Sequence, residues 1–421
     1  MKITILSIGS RGDVQPMVAL GLGLRSSGHE ITIATHQIFE SFVRKFGLGF
    51  SLISSDPKET LESSAGKAAL ENGQNPLRSW RNFSRMVKPS FIQTGMDALH
   101  ACKSSDAVIY SPFSTFFGPH VAEKLKIPSI AAYLQPNHPT RDTPSFLSPT
   151  QRNLGSLFNL LTWKFLDLMI SLQYRSLINK WRTEYLDLPP IGFYEFGKRR
   201  ERQRLVVYGI SPSVLPKPSD WSENVKVTGY WFLDEDKDWS PPEELSRFLS
   251  DGGPPIYIGF GSMVTRDPKR LTSMVLKALE ITKQRGILLT GWGCLGETDL
   301  PDYAFEINSA PHSWLFPKMA AVVHHGGAGT TAAGLRAGRP TIVVPFFVDQ
   351  PFWGRRVADL GVGPEPIPFT ELSAERLASS INESINNNKI KNRAVDLGKR
   401  ISSENGVRKA VEEIDKFLST Q

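Results

Sequence analysis

The segment HHGGAGTT, His324–Thr331, combines residue types that could bind a diphosphate. Its glycines let the backbone approach a ligand closely. A helix predicted to begin at Ala328 would direct unpaired N–H groups and the positive end of its dipole at that ligand. Thr330 and Thr331 add hydroxyl donors, and a histidine at the rim can donate to a phosphate oxygen. A glycine turn with two incidental histidines is the alternative interpretation.

A second glycine-containing turn, GSRGD, follows the first predicted strand and carries an acid, Asp13. A carboxylate repels a phosphate, so this turn is not expected to bind one. Asp13 would lie at the start of a helix, where it can cap the N-terminus. It could instead accept the proton of a substrate hydroxyl as a general base. The residue types alone leave both roles open.

Strands and helices alternate along both halves of the chain, which is typical of a parallel sheet covered by helices. The second half restarts the alternation with a strand in PIYIGFGSM, Pro255–Met263. We therefore predict an α/β protein with two Rossmann-like domains, and ligands at the carboxyl ends of their strands. The other predicted strands are Ile3–Ile8, Ile31–Thr35, Ala107–Tyr110, Ser129–Tyr133, Ile287–Thr290, Ala321–His324 and Thr341–Pro345.

The domain boundaries follow from a charged stretch, rich in proline and glycine, at Trp231–Pro255. It predicts an N-terminal domain over 1–230, a linker over 231–254 and a C-terminal domain over 255–400. The remaining residues, 401–421, contain a predicted amphipathic helix at Val407–Leu418. Its apolar residues recur at steps of three and four and would line one face.

Composition excludes several classes of function. The net charge of +7 is spread along the chain without the basic and aromatic stripe of a nucleic-acid module, so no nucleic acid is expected as a partner. The two cysteines, Cys102 and Cys294, have no metal-ligand spacing and predict no disulfide framework, which favours the cytoplasm. A dinucleotide oxidoreductase is disfavoured because the first turn lacks its glycine spacing and the second strand ends in His36 rather than an acid.

No stretch of about 18 uncharged apolar residues is present, so no membrane span is predicted. The nearest candidate, Leu154–Leu172, is interrupted by Lys164 and Asp167 and fits a helix with a broad apolar face. It could be a core helix, the wall of an apolar ligand site or a patch at a membrane surface.

The block Ser309–Gly361 resembles the nucleotide-sugar signature of glycosyltransferase family 1, the UDP-glycosyltransferases. FGSM at Phe260–Met263 and GDVQP at Gly12–Pro16 also match that family. GSRGDVQP and HHGGAGTTAAGLRAGRPTIVVPFFVDQPFW are most similar to sterol 3-β-glucosyltransferases and their bacterial relatives. The resemblance implies a GT-B fold, in which two Rossmann-like domains face a central cleft. It also implies that the helix in 401–421 crosses back to the N-terminal domain.

The resemblance implies that the C-terminal domain binds the donor. Phosphate contacts would come from Ser262, His325 and the glycine loop, and Asp349 with Gln350 would hold sugar hydroxyls. Family members in plants stack a tryptophan on uracil where this chain has Ser309, so Trp314 is the substitute offered for that role. The implied donor-binding residues are Ser262, His312, Trp314, His325, Gly327, Gly329, Thr330, Asp349 and Gln350, with Gly326 and Ala328 in the phosphate loop.

Two further departures from the plant pattern change the expected chemistry. Ala333 stands where a glutamate holds the ribose, and Asp13 stands where a histidine is the catalytic base. Asp13 is therefore expected to take the acceptor proton in an inverting transfer from a UDP-sugar, with glucose as the first candidate, to a sterol or triterpenoid. Expected acceptor-binding residues are Phe113, Phe116, Phe117, Leu134 and Phe146.

Other functions remain open at this point. The acceptor could be a flavonoid, a macrolide or a glycopeptide, or the chain could be a non-catalytic nucleotide-sugar-binding protein of the same fold. The UDP-sugar is expected as a co-substrate, with no cofactor and no metal. We expect a cytoplasmic monomer whose contact with membranes is peripheral at most.

Overall fold

The computed structural model describes the chain except residues 57–58, 60–75, 149, 194–204, 234–238, 264, 266, 292–294 and 296–298, and except the side chains of residues 76–80 and 83. Cys294 and most of the polar stretch 54–79 therefore lie outside the described residues.

The chain folds into two compact units. Met1–Thr60, Ser84–Leu233 and Glu404–Gln421 belong to the first unit, and Asp234–Ser403 make up most of the second. The first contains a parallel seven-stranded sheet of order β3-β2-β1-β4-β5-β6-β7, and the second a parallel five-stranded sheet of order β10-β9-β8-β11-β12. Both follow the Rossmann arrangement. The first strands are added toward one edge of the sheet, and the chain then returns to the middle and adds the later strands toward the other edge.

The strands are short, and several are buried along their whole length, as expected when helices cover both faces of a sheet. They are β1 Lys2–Leu6, β2 Glu30–His36, β3 Gly49–Ile53, β4 Ala107–Tyr110, β5 Ser129–Tyr133, β6 Val206–Tyr208, β7 Val225–Val227, β8 Ile256–Gly259, β9 Gly286–Leu289, β10 Ala304–Ile307, β11 Ala321–His324 and β12 Thr341–Val343.

The helices alternate with these strands. They are α1 Arg11–Ser26, α2 Glu40–Lys45, α3 Pro76–Val87, α4 Phe91–Cys102, α5 Gly118–Leu125, α6 Ser156–Glu184, α7 Glu243–Ser250, α8 Pro268–Thr282, α9 His312–Leu315, α10 Ala328–Arg336, α11 Gln350–Asp359, α12 Ala374–Asn386, α13 Asn388–Ser402 and α14 Gly406–Leu418.

The predicted linker over 231–254 contains the helix α7. Leu245, Phe248 and Leu249 recur at steps of three and one, and they pack against the core cluster of the second unit around Tyr257 and Phe316. The prolines and charges before α7 suggested a linker, but the apolar face of α7 packs it against the core cluster of the second unit.

The C-terminal helix α14 packs within the first unit, against α1 and β6. Its buried side chains include Ala410, Val411 and Ile414. It lies so close to α1 that a Cβ placed on Gly23 would be 2.5 Å from Cγ1 of Val407. The side chain of Asn405 caps the helix by accepting a hydrogen bond from the backbone N–H of Arg408.

Candidate active site

The turns predicted to do chemistry lie where the strand order of each sheet reverses. In the first unit β1 has β2 on one side and β4 on the other, and in the second β8 lies between β9 and β11. Parallel sheets bind ligands outside the carboxyl ends of their strands at such a point. Asp13 follows β1, the turn Gly261–Met263 follows β8, and the turn His325–Gly327 follows β11.

Asp13 lies in the first turn of α1 and caps that helix. Its Oδ2 accepts hydrogen bonds from the backbone N–H of Ser10, at 2.8 Å, and from the Ser10 hydroxyl, at 3.1 Å. The side chain is half-buried, and its removal from water raises its pKa to about 6, although the bonds from Ser10 act in the opposite direction. Such a carboxylate is ionised at neutral pH and is a stronger base than an ordinary aspartate.

The turn before Asp13 requires a glycine and is tied to the end of β2. Gly9 has a φ of +135°, and a Cβ there would lie 2.3 Å from Oδ2 of Asp13. The backbone N–H of Gly9 donates to Nε2 of His36 at 3.0 Å, so the hydrogen of this imidazole lies on Nδ1, which bonds the carbonyl oxygen of Ser55. Burial lowers the pKa of His36, which favours the neutral ring that this arrangement needs.

In the second unit, the turns that follow β8, β9 and β11 each contain a glycine, and these turns lie close together. Gly261 after β8, Gly291 after β9 and Gly326 after β11 all have positive φ. A Cβ on Gly291 would lie 2.2 Å from the carbonyl oxygen of Gly261, and a Cβ on Gly261 would lie 2.8 Å from Cε1 of His325. The FGSM turn and the HHGGAGTT turn, far apart in sequence, therefore form one surface of the second unit.

The two histidines of this surface are buried and neutral. Nδ1 of His324 accepts a hydrogen bond from the backbone N–H of Gly326, at 2.9 Å, so its hydrogen lies on Nε2. The ring of His325 lies close to Gly327, where a Cβ would be 2.5 Å from Nε2. Burial, followed by the nearby His312, lowers the pKa of His325 to about 4. A neutral imidazole still has one N–H to donate.

The N-terminus of α10 offers backbone donors at this surface. Gly327 precedes the helix, and Gly327, Ala328, Gly329 and Thr330 are all partly exposed. The hydroxyl of Thr331 is buried and donates to the carbonyl oxygen of Gly327 at 2.9 Å. Thr330 is thus the accessible threonine of the pair. Unpaired N–H groups and a partial positive charge at a helix start favour an anion.

Asp349 and Gln350 begin α11, beside the FGSM turn. Oε1 of Gln350 accepts hydrogen bonds from the backbone N–H groups of Phe346 and of the residue after it, and Nε2 lies 3.5 Å from Sδ of Met263. Gln350 is buried and shapes this loop. Asp349 is partly exposed, with Oδ2 accepting from Nε1 of Trp353 at 2.9 Å. Contact of either side chain with a sugar stays a prediction.

Two of the remaining residues predicted to bind the donor, His312 and Ser262, lie near the loop surface of the second unit. His312 stacks on Phe316, with ring centres 4.3 Å apart, and is close enough to His325 to lower its pKa. Ser262 is partly exposed in the turn after β8.

Trp314 belongs to a different side of α9. Its ring packs edge-on against Trp239 at 4.9 Å and carries the Lys318 ammonium over its face at 4.5 Å. Trp314 also packs against the core cluster of the second unit. The structure thus groups His312 with His325 and places Trp314 at the edge of the core. Its predicted role as a base platform stays a prediction.

Known families and proteins match both halves of the chain. The family model of the glycosyltransferase family 28 N-terminal domain matches residues 3–143, and that of the erythromycin biosynthesis protein CIII-like C-terminal domain matches residues 295–416. A sterol 3-beta-glucosyltransferase of Arabidopsis thaliana is 39% identical over 99% of this chain and 68% of its own length. A sterol 3-beta-glucosyltransferase of Candida albicans is 40% identical over 98% of this chain and 27% of its own length.

The chain belongs to the sterol 3-beta-glucosyltransferase family. It spans about two thirds of the plant relatives and less than a third of the fungal relatives that it matches. The resemblance stated from the two sequence motifs is thereby confirmed.

Solved structures confirm the fold of this sterol 3-beta-glucosyltransferase family member as GT-B. The glycosyltransferase of kitacinnamycin superposes with a TM-score of 0.73 at 18% identity, covering 99% of both chains. The calicheamicin glycosyltransferase CalG4 superposes with a TM-score of 0.67 at 18% identity, covering 100% of this chain and 98% of its own.

The residues predicted to bind the acceptor of a sterol 3-beta-glucosyltransferase lie on several elements of the first unit. Phe116 lies 4.7 Å from Tyr174, and Phe117 is buried 5.7 Å from Trp181, both by ring centres. Phe146 instead packs on Trp163, with ring centres 6.5 Å apart. At a rise of 1.5 Å per residue, Trp163 lies about 16 Å from Tyr174 along α6. Leu134 is buried directly after β5, and Phe113 is partly exposed in the turn after β4.

Sequence reasoning missed several residues that shape the Asp13 turn of the first unit and the loop surface of the second. Ser10 and His36 hold the Asp13 turn, and Met263 and Gly291 contact the donor-side loops. The glycines after predicted strands were a usable signal. The role of His36 depends on the neighbouring strand and cannot be read from local sequence.

Among the described residues, no group of three or more His, Cys, Asp or Glu side chains is placed to hold a metal ion. No helix in the described part of the chain combines the length and apolar character needed to cross a membrane.

Proposed function

We propose that this chain transfers a hexose, with glucose as the first candidate, from a UDP-sugar to the hydroxyl group of a 3β-hydroxysterol. The observation that carries this proposal is Asp13. In a family of sterol 3-beta-glucosyltransferases, a half-buried carboxylate with a raised pKa lies at the carboxyl end of β1, where the strand order of the first sheet reverses.

The reaction is a single displacement. The Asp13 carboxylate accepts the proton of the acceptor hydroxyl while that oxygen bonds to the anomeric carbon of the sugar. The bond from that carbon to the phosphate oxygen breaks, and its electrons leave with UDP. Both hydrogen bonds from Ser10 end on Oδ2, so we expect Oδ1 to be the oxygen that receives the proton. An α-linked donor then gives a β-glycoside.

The donor proposal is supported by the loop surface of the second unit. The N–H groups of α10, the Thr330 hydroxyl and the neutral His325 would stabilise the charge of the leaving diphosphate. The solved glycosyltransferases SsfS6 and VinC, which superpose with TM-scores of 0.65 and 0.66, are complexed with thymidine diphosphate and DTDP. Uridine is proposed here from the sequence signature, and Ser309 and Ala333 leave its base and ribose contacts to other residues.

We further propose that transfer needs no metal ion and that the protein is a cytoplasmic monomer that meets membranes only at their surface. The support for the cytoplasm is the low cysteine content. A donor loop that supplies positive charge from backbone groups supports independence from a metal.

The test is a transfer assay with UDP-glucose and TDP-glucose against cholesterol, sitosterol, a flavonoid and a macrolide. Mass spectrometry identifies the product, and the proton coupling at the anomeric carbon gives its configuration. We expect a β-glucoside of the sterols from UDP-glucose. Transfer only to the flavonoid or macrolide would overturn the sterol proposal, and an α-glycoside would overturn the single displacement. Tight UDP-glucose binding without transfer to any acceptor would favour the non-catalytic binding protein.

A further inference from the structure

The long helix α6 exposes a continuous apolar face, although its other face is buried in the first unit. Spacings of four, four, three and four residues place the exposed side chains in one line along the helix. Their exposed fractions range from 40% to 74%, which is large for leucine and phenylalanine. We call this line the α6 face; it consists of Leu157, Leu161, Phe165, Leu168 and Leu172.

The α6 face is contiguous, whereas the other exposed apolar side chains are scattered. Ile38, Leu52, Ile281 and Val395 are each 43–45% exposed, but they lie on separate elements. Single exposed apolar residues are normal, while a contiguous patch marks an interaction surface. The apolar line also continues past the start of the helix to Leu154, which is 61% exposed.

Two exposed cations border the α6 face. Lys164 is exposed at its edge, one turn before Leu168, and Arg152 is exposed beside Leu154. Arg141 is brought to the start of the helix by a hydrogen bond from Asn159 to its carbonyl oxygen, at 2.7 Å. The acids of this region are Asp142, which follows Arg141, the half-buried Asp167, and Asp220, whose carboxylate accepts a hydrogen bond from the backbone N–H of Arg141 at 2.7 Å. Asp142 and Asp220 offset Arg141, so the cations that border the apolar line are Lys164 and Arg152, and the whole chain carries +7.

An apolar helix face bordered by lysine and arginine is the pattern of a helix that lies in the surface of an anionic bilayer. A second copy of the chain is a weaker candidate, because a stable dimer interface takes about 20–30 residues on each side. The five apolar residues of the α6 face are few for that, and the basic residues beside them would face one another in a symmetric pair.

We propose that the α6 face, with Arg152 and Lys164, docks the protein on an anionic lipid bilayer. The helix then lies along the bilayer with its leucines among the acyl chains and its cations at the headgroups. Its biological use rests on the proposed function: a sterol dissolves in the bilayer and not in water, so a docked enzyme can take its acceptor directly from the membrane.

The binding test uses the full chain and phosphatidylcholine vesicles, with or without phosphatidylserine and without any sterol or donor. The triple variant Leu157→Ser, Leu161→Ser, Leu172→Ser should lower partition to the anionic vesicles about tenfold or more. The matched control, Ile38→Ser, Ile281→Ser, Val395→Ser, changes three exposed apolar side chains outside the α6 face and should bind as the unaltered protein does.

A charge pair tests the second part of the surface. Arg152→Glu with Lys164→Glu should weaken binding to phosphatidylserine vesicles and remove its salt dependence, whereas Lys269→Glu with Lys389→Glu, at exposed lysines of the second unit, should not. Equal binding by the leucine variant and its control, or no binding by the unaltered protein, would overturn the proposal. A dimer in solution that the leucine variant dissociates would assign the α6 face to a second copy.

An activity arm separates this proposal from the proposed function. The leucine variant should glucosylate cholesterol delivered in cyclodextrin at the unaltered rate and lose activity on cholesterol held in anionic vesicles. Vesicle binding without transfer to cholesterol from cyclodextrin would refute the sterol function and leave the docking surface standing. Transfer from both sources by the leucine variant would refute the docking role and leave the function standing.

Discussion

At the residue scale, Asp13 combines two roles that the sequence could not separate. Its carboxylate caps α1 through Ser10, and α1 begins just after the carboxyl end of β1. Burial makes its pKa unusual, and the bonds from Ser10 keep the side chain in one place. A cap of this kind holds a base in position before any substrate binds.

The pH dependence of turnover should follow the ionisation of Asp13. A base must be ionised to accept a proton, so kcat/KM is expected to rise with pH, with a midpoint near the pKa of about 6, and to level off above it. His36 faces the same turn, with Asp56 nearby, and its pKa is lowered from the usual histidine value. His36→Gln retains one acceptor and one donor and should leave the midpoint in place. A midpoint that disappears in this variant would assign the titration to His36.

The raised pKa of Asp13 also predicts a change in stability. The folded state binds more protons than the unfolded state between the ordinary aspartate pKa and about 6, so this group's contribution is fully present below that range and is lost as pH rises through it. Asp13→Asn removes the titration. Its melting temperature relative to the unaltered protein should therefore be higher at pH 8 than at pH 4, while turnover falls about 10²–10⁴-fold. A difference in melting temperature that is independent of pH would contradict the shift.

Gly9 should be essential because it leaves room for the Asp13 carboxylate. Gly9→Ala places a Cβ 2.3 Å from Oδ2 and strains a φ of +135°. We expect kcat to fall about 100-fold or more, with the KM for the donor nearly unchanged. Gly28→Ala is the control, since Gly28 also has a positive φ, of +91°, but no atom within 4 Å of its added Cβ. Equal loss of turnover in both variants would show that backbone strain alone is responsible.

At the element scale, strand-ending turns build the donor surface of the second unit. The left-handed glycines after β8, β9 and β11 allow three turns to meet, and α10 starts at their junction. The two threonines at this start differ in what they can do, although they are adjacent in sequence. One is accessible, and the other bonds its own helix.

The threonine pair gives a matched test of the donor loop. Thr330→Val removes an accessible hydroxyl and should raise the dissociation constant of UDP-glucose several-fold, as measured by calorimetry. Thr331→Val removes a buried bond to Gly327 and should lower the melting temperature instead, by the equivalent of about 1 kcal/mol. Equal donor affinity in both variants would remove Thr330 from the site.

EDTA should leave transfer unchanged, and a requirement for Mg²⁺ or Mn²⁺ would contradict metal independence.

At the scale of the whole molecule, the last helix belongs to the unit that opens the chain. His29 contacts Asp415 at 2.8 Å, Lys226 contacts Glu413 at 3.3 Å, and the carboxylate of Glu404 accepts from the hydroxyls of Ser211 and Ser213. The contacts of Asp415 and Glu413 are partly exposed, and such pairs contribute little individually. The buried apolar face of α14 against α1 is the larger contribution.

Deleting residues 406–421 should lower both the melting temperature and turnover. The deletion exposes the part of α1 under Val407 and Val411, and α1 also carries Asp13. Deleting only residues 420–421 is the control, because both are exposed beyond the helix. Full activity and an unchanged melting temperature in the longer deletion would show that α14 is dispensable.

Local patterns in the sequence were enough to predict the fold class and the family. Apolar runs, glycine turns and a long signature identify strands, the starts of helices and relatives without any knowledge of distance. β4, β5 and β11 and the start of α10 lie where the patterns predicted them. The acid in the first turn was also visible, as was the face of the last helix.

Which of these residues act together depends on contacts that form only in the folded chain. His36 reaches Gly9 because β2 lies beside β1, and Gly261 touches His325 because β8 lies beside β11. The burial of Phe117 and the exposure of the apolar residues of α6 also depend on the fold. Periodicity shows that a helix has an apolar face, but not which part of the protein covers that face. Burial, pKa shifts and the tautomers of the histidines all depend on neighbours brought close by folding. That is why the sequence could name Asp13 as a candidate base, but the raised pKa came only from the folded chain.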